Sequence, residues 1–336
     1  MIIVAIETSC DETAIAITKN GTLLSSLISS QIKTHANFGG VVPEIAARMH
    51  LEVIIPLIKE AMGKAKITPR NISALAVTYG PGLLPSLLVG VDTTKALSFA
   101  WNKPLIAVNH MEGHVISGIA GLKNKKNIFP LLCLTVSGGH TEIVLMKDYG
   151  EYTIVGKTLD DAAGEAFDKV ATLLGLPYPG GPEISRMAHL GNSKAYQFAR
   201  PLITKPGFDF SFSGLKSDVL RFVKKRKRAL TYHEKRNVAA SFQRAVVDVL
   251  LSKCTRAAKE FKPKTISLAG GVSANSLLRS EFTRTLSHAF PHATIAIPPK
   301  ELSTDNAVMI AYVAEKKYKK KDFADLTLTA NPNAML

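Results

Sequence analysis

The chain is short of acid, short of cysteine and without a long apolar run. Its 336 residues hold 27 Asp plus Glu against 42 Lys plus Arg, a formal charge of +15. That imbalance favours a polyanionic partner, because a basic surface neutralises phosphates and releases their counterions; nucleic acid stands slightly ahead of a merely solvated basic surface. There are three cysteines, Cys10, Cys133 and Cys254, and no CxxC. An odd, widely spaced set excludes a disulfide scaffold and a thiolate zinc site, and fits a reducing cytosol. The uncharged run at 71–91 is broken by Gly80, Pro81, Gly82 and Pro85, which excludes it as a membrane span. MIIVAIETSCDET lacks a basic n-region and meets acid at Glu7, so neither a signal peptide nor a transit peptide is expected and the location expected is cytoplasmic. No stretch reads GxxxxGK[ST], which excludes a P-loop.

What is present is a doubled α/β pattern, and the length suits two domains. Residues 2–6, 13–18 and about 22–29 read as strands, the third after an Asn20-Gly21 turn. PEIAARMHLEVIIPLIKEAM (43–62) is an amphipathic helix opened by Pro43. A strand at 72–78, a helix at about 86–100, a strand at 105–108 and a helix carrying His110 and His114 follow. The second half restarts with two strands joined by a glycine turn in 130–147 and a third at 152–159. A shift of 128 positions lays Ser9 on Ser137, Thr13 on Thr141 and Ile15 on Ile143, so each half places a small-residue turn between its first two strands. Such a turn can offer backbone N–H groups to phosphate. The expected domains are 1–128, completed by a helix at 305–320, and 129–304 with an insertion at about 176–232. Within the insertion, FDFSFSGLKS (208–217) reads as loop. The tail EKKYKKK (315–321) is expected to be mobile.

NHMEGH (109–114) puts two histidines four residues apart, on one face of a helix, where two imidazoles can share an ion. Taken alone, the pair reads more readily as two ordinary surface or core histidines. A metal would need a third ligand, and Asp305, which begins a late helix in STDNAVMIA, is a suitable carboxylate. A zincin needs H-E-x-x-H, but Met111 follows His110 and Glu112 points to another face. The loops GPGLLPSLLVG (80–90), VSGGHT (136–141), PGGP (179–182) and LAGGVSAN (268–275) border strands and suit close backbone approach to a nucleotide, though each could be a tight turn. Asp160, Asp161, Glu165 and Asp168 open a helix and complement its dipole, with Asp168 a candidate for ribose hydroxyls. FVKKRKRALTYHEKR (222–236) is either a solvated face or a patch that tracks a phosphate backbone.

These motifs converge. IETSCDET (6–13), VVPEIAARMH (41–50), YGPGLLPSLLVG (79–90), NHMEGH, VSGGHTE (136–142), DDAAGEAFDKVA (160–171), YPGGP (178–182), SFSGLKS (211–217), LAGGVSAN and STDNAVMIA together resemble the tRNA N6-adenosine threonylcarbamoyltransferase family, in order and over nearly the whole chain. The resemblance implies a duplicated actin/Hsp70/sugar-kinase-like fold of the RNase H-like class, with the active site between two domains. It implies His110, His114 and Asp305 as ligands of one divalent ion, Fe2+ before Zn2+. It places threonylcarbamoyl-AMP against Thr135, Val136, Ser137, Gly138, Gly139 and His140, with Asp168, Gly181 and Asn275 around the nucleotide. The implied reaction moves the threonylcarbamoyl group to N6 of adenosine 37 in ANN-decoding tRNAs and releases AMP. Implied partners are tRNA, a paralogous subunit of the same fold and a small P-loop ATPase. HMEGH and SGGH point to the bacterial or organellar branch. Ser185 departs from the family's usual Asp and bears on a ribose contact. The competing readings are a non-catalytic ATP-binding scaffold and, behind it, a metalloprotease.

Overall fold

Strands run where β-branched and aliphatic residues alternate or cluster, and turns fall on Asn-Gly and Gly-Pro. The computed structural model describes residues 1–122, 127–226 and 228–336. It divides into two compact units, Met1–Ser117 with Asp305–Leu336, and Gly118–Thr304.

Unit 1 begins β1 (Ile2–Glu7), β2 (Glu12–Lys19), β3 (Thr22–Ser30), then α1 (Ile32–Ala36) and α2 (Pro43–Ala65). β4 (Ala74–Gly80), α3 (Leu84–Trp101), β5 (Leu105–Asn109) and α4 (His110–Ser117) follow. Its sheet has the order β3-β2-β1-β4-β5. β1 pairs antiparallel with β2 and parallel with β4. Ile6, Ile15 and Ile17 pack with Ile54 and Ile58 of α2 in one apolar core. Burying each such side chain contributes about 1.5–3 kcal/mol.

Unit 2 holds β6 (Leu131–Val136), β7 (Thr141–Asp148), β8 (Glu151–Lys157), α5 (Ala163–Leu173), α6 (Gly180–Ala188) and α7 (Ser213–Lys225). It continues with α8 (Tyr232–Phe261), β9 (Thr265–Ala269), α9 (Ser276–Ala289) and β10 (Thr294–Ala296). Its sheet order, β10-β9-β6-β7-β8, is that of unit 1 read from the other edge. The registers agree as well. Ile6 pairs with Ile15 and Leu134 with Ile143, each 128 residues apart. The duplication inferred from Ser9 and Ser137 is therefore a structural one.

α10 (Ala307–Lys320) belongs to unit 1. Two expectations fail here. The tail is not mobile: residues 315–320 are helix, and buried Glu315 accepts hydrogen bonds from Thr18 Oγ1 and the Gly21 N–H. Beyond it, Ala324 N–H donates to Leu105 O at 2.9 Å and Asn331 N–H to Tyr79 O at 2.7 Å. The helix expected at 305–320 is present, and its apolar face holds the lysine-rich end in place. The stretch 208–217 is not all loop either, since α7 starts at Ser213. Asp160 starts it from outside, its carboxylate accepting the Phe212 and Ser213 N–H groups and the Ser211 hydroxyl.

Candidate metal centre and nucleotide pocket

Two helix starts build the first site. Asn109 caps α4, its Oδ1 accepting the Met111 N–H at 2.8 Å, and so fixes where His110 begins the helix. Asn306 caps α10 through the Met309 N–H at 3.1 Å, leaving Asp305 just outside the first turn. Gly113 lets the two helices close up: a Cβ there would lie 3.0 Å from Ile310 Cδ1 and Met309 Cγ. The result is that ligand atoms of His110, His114 and Asp305 lie within 4.8 Å of one another. Nε2 of His110 is 3.6 Å from Asp305 Oδ1, and Nε2 of His114 is 3.1 Å from it.

His114 is fully buried, yet neither ring nitrogen has a hydrogen-bond partner. The 3.1 Å approach to Asp305 lacks hydrogen-bond geometry. An orphaned, buried imidazole costs about 1–3 kcal/mol, a penalty that an ion in this position removes. Two imidazoles and one carboxylate form a donor set that suits Fe(II) or Zn(II) and leaves coordination positions open. The residues fit a metal ion.

Sequence reasoning missed what holds His110. Glu7, the last residue of β1, is completely buried. Its Oε2 lies 3.2 Å from His110 Nδ1 and also accepts the Thr78 hydroxyl, while Oε1 accepts the Ser9 N–H at 2.5 Å. Ser9 Oγ is 3.1 Å from the same Nδ1. This is the carboxylate–histidine arrangement that orients metal-binding imidazoles. Burial alone raises the Glu7 pKa, but the charge and hydrogen bond of His110 overcome it and hold the carboxylate low. Burial alone lowers His110, but Asp305 and Glu7 together push it up to about 9. An acid ending the apolar strand IIVAIE was the available signal. Glu112 is buried but is not among the clustered ligands, which leaves the zincin reading without its base.

Unit 2 contains a cavity of about 620 Å³. Of the nine positions expected around the nucleotide, Gly138, Asp168, Gly181 and Asn275 line it. Thr135 and Val136 are buried in β6, and Ser137, Gly139 and His140 belong to the turn after it without lining the cavity. The turn is stapled to α5, with Gly164 N–H donating to Ser137 O at 3.2 Å. A Cβ built on Gly164 would come within 2.5 Å of that carbonyl. By contrast, a Cβ at Gly138 or Gly181 would meet nothing within 4 Å, so these two glycines leave room for a ligand. Asp168 Oδ1 caps α6 by accepting the Gly180 N–H at 2.8 Å, and Asn275 caps α9 through the Leu278 N–H. Ser185, Arg186, His189 and Lys300 also line the cavity.

The family model for tRNA N6-adenosine threonylcarbamoyltransferase (TsaD) matches residues 22–312. A curated relative of that name from Thermosipho melanesiensis is 50% identical, covering 100% of both chains. One from Geobacillus kaustophilus is 49% identical over 99% of this chain and 96% of its own. The chain belongs to the tRNA N6-adenosine threonylcarbamoyltransferase family. The fold is that of the actin/Hsp70/sugar-kinase class. Solved neighbours at 14% identity are T. kodakarensis HypF, with TM-score 0.63 over 97% of this chain and 49% of that one, and the Acidaminococcus fermentans (R)-2-hydroxyglutaryl-CoA dehydratase component A, with TM-score 0.56 over 95% and 99%.

For a family acting on tRNA, the basic run needs a close look. Lys227 lies outside the described residues. Arg228 pairs with Glu234 at 2.8 Å, and Arg226 reaches the same carboxylate at 3.8 Å. Lys224 and Lys225 are exposed and make no ion pair among the described residues. The acidic cluster is divided differently from expectation. Only Glu165 lies in the first turn of α5, Asp160 caps α7, and Asp161 pairs with Lys169 and Lys216. Among the described residues, no helix is long and apolar enough to cross a membrane.

Proposed function

We propose, from membership of the family, that the chain is a transferase that modifies adenosine N6 in tRNA. We propose that unit 1 holds one divalent ion on His110, His114 and Asp305, Fe2+ before Zn2+, and that the unit-2 cavity takes the nucleotide part of threonylcarbamoyl-AMP. The observation that carries this is the buried, unpartnered His114 beside His110 and Asp305. A bound ion supplies Lewis-acid polarisation of a carbonyl or phosphoryl oxygen. Glu7 and Ser9 fix the His110 ring so that its Nε2 faces Asp305. Gly138 and Gly181 admit the ligand close to backbone, where N–H groups meet negative charge. Thr135, Val136, Ser137, Gly139 and His140 shape the turn, and Asp168 and Asn275 sit beside the nucleoside.

In the reaction, N6 of adenosine 37 attacks the carbamoyl carbonyl carbon. A new N–C bond forms, the carbon–oxygen bond to AMP breaks, AMP leaves with the electron pair, and N6 sheds one proton. AMP is a competent leaving group, so little acid–base work falls to side chains. Lys224 and Lys225 contribute phosphate contacts to the tRNA. The remaining partners we propose are a paralogous subunit of the same fold and a small P-loop ATPase, in the cytoplasm. The test is transfer of label from pre-formed threonylcarbamoyl-AMP to an ANN-decoding tRNA. We expect label on adenosine 37 with wild type and its loss in His110→Ala; full activity and full metal content in His110→Ala and Asp305→Ala would refute the assignment.

A further inference from the structure

The segment that follows the basic run places an aromatic ring where burial would be expected to hide it. Tyr232 opens α8 with its side chain 57% exposed, a large aromatic surface left in water. The guanidinium of Arg236, one helical turn on, lies over the ring at 4.7 Å. Arg236 makes no ion pair among the described residues, and its buried Nε has no hydrogen-bond partner. A stacked cation is thus left without an anion. The same spacing recurs before the run, where Arg226 lies 4.9 Å over Phe222, with Lys224 and Lys225 between them. One aromatic–arginine pair therefore spans the lysines and a second follows them.

This segment also adjoins the unit-2 cavity, and the Tyr232 hydroxyl is hydrogen-bonded to Arg186 of α6. Arg186 of α6 lines the cavity and is paired with Glu183 at 2.6 Å. The chain leaving α6 is bound to α8, with Asn192 N–H donating to Asn237 Oδ1 at 2.8 Å. A local helix-stabilising pair accounts for Tyr232 over Arg236, but not for the ring's exposure or for an uncompensated guanidinium among lysines. Exposed aromatic rings beside arginine and lysine are how proteins hold unpaired nucleotides: every base has a π-face, and stacking is tolerant of sequence.

We propose that Tyr232, with Arg236 on its ring, is a stacking platform for an unpaired base in the anticodon loop of the tRNA substrate, and that Arg236, Lys224 and Lys225 receive the adjoining phosphates. The proposal rests on the tRNA reading above. It assigns the loop, not the stem, to this face.

The test uses the full chain and three RNAs: the whole tRNA, its anticodon stem–loop, and a duplex of the same length without a loop. Tyr232→Ala is expected to weaken stem–loop binding roughly ten-fold, with the salt slope unchanged, while Tyr232→Trp binds as wild type. The chain's single native tryptophan is Trp101, so the indole at 232 gives a second signal. Its emission is expected to be quenched by the stem–loop and not by the duplex. Lys224→Ser with Lys225→Ser is expected to lower the salt slope instead, by about 0.7 for each phosphate no longer neutralised. Thermal midpoint and adenylate affinity are expected to stay at wild-type values in Tyr232→Ala. If wild type binds tRNA and Tyr232→Ala binds equally well, or loses duplex binding to the same extent, the platform is wrong and the tRNA reading stands. If wild type binds neither the tRNA nor the stem–loop, both fall.

Discussion

The two units carry the same sheet, and the difference lies at the end of the first strand. In unit 1, β1 ends in Glu7, which is bonded to Thr78 and supports His110. In unit 2 the equivalent place in the register is Thr135, paired with Ala269. At this position the first strand carries a buried carboxylate in unit 1 and a small hydroxyl in unit 2. The turns that follow differ in the same sense. The Ser9 turn is tied down by Glu7 and His110, whereas a Cβ at Gly138 or Gly139 would meet nothing within 4 Å. A duplicated scaffold thus serves two chemistries: a sheet end that fixes an imidazole, and one that leaves space for a ligand. Neither needed a change in strand order.

The largest effect that would break this comparison is removal of a metal ligand. His114→Ala or Asp305→Ala is expected to lower metal affinity at least 100-fold while leaving nucleotide affinity of the unit-2 cavity unchanged, measured by calorimetry. A parallel loss of nucleotide binding would mean that the two functions are not separate. Next come two glycines, each pressed on the carbonyl of the turn serine of its own unit. A Cβ at Gly82 would lie 2.5 Å from Ser9 O, and one at Gly164 would lie 2.5 Å from Ser137 O. Overpacking against backbone costs about 1–3 kcal/mol. Gly82→Ala is expected to weaken metal binding and spare the nucleotide; Gly164→Ala is expected to do the reverse, by about ten-fold each. Gly138→Ala meets no protein atom, so a loss of adenylate affinity without loss of stability there would mark ligand contact.

A smaller effect sharpens the electrostatic side. In metal-free protein His110 is pushed up to about 9 from 6.5, so the stability it lends is present in full below pH 6.5 and is lost as pH rises through about 9. Glu12, raised to about 9 by burial and then by Asp11 and Asp305, acts in the same direction, because ionising it above its ordinary range penalises the fold. The melting temperature of metal-free protein should therefore fall from pH 6.5 to 9, and apparent metal affinity should rise over the same range as His110 gives up its proton. A flat melting profile would show that Glu7 and Asp305 do not hold that proton. The smallest effect belongs to the helix cap: Asp160→Ala is expected to cost about 1–2 kcal/mol in denaturant unfolding while leaving metal binding intact.

What could be read from sequence follows from the range of the interactions. Strand alternation and helical period are local, so β1 to β7 and α2, α3 and α4 fell within a few residues of expectation. The 128-residue shift worked because pairing register is inherited with the side-chain pattern. Helices α6 and α7 were hidden, since Gly180 and Gly181 look like a turn and the partner that starts α7 is Asp160, about 50 residues earlier in the chain. His110, His114 and Asp305 were legible as ligand types at a helical spacing. Glu7 was not, because its role depends on β1 ending beside α4, a contact 103 residues apart in sequence. The basic tail misled because charge was read without its apolar face.

The most direct test of the central claim is a paired measurement on one preparation: bound metal per chain, and transfer of labelled threonylcarbamoyl from its adenylate to an ANN-decoding tRNA, for wild type and His114→Ala. Wild type is expected to hold one ion and to label adenosine 37, and the variant to lose both while the adenylate still binds. Undiminished transfer by metal-free His114→Ala would contradict a metal-dependent site.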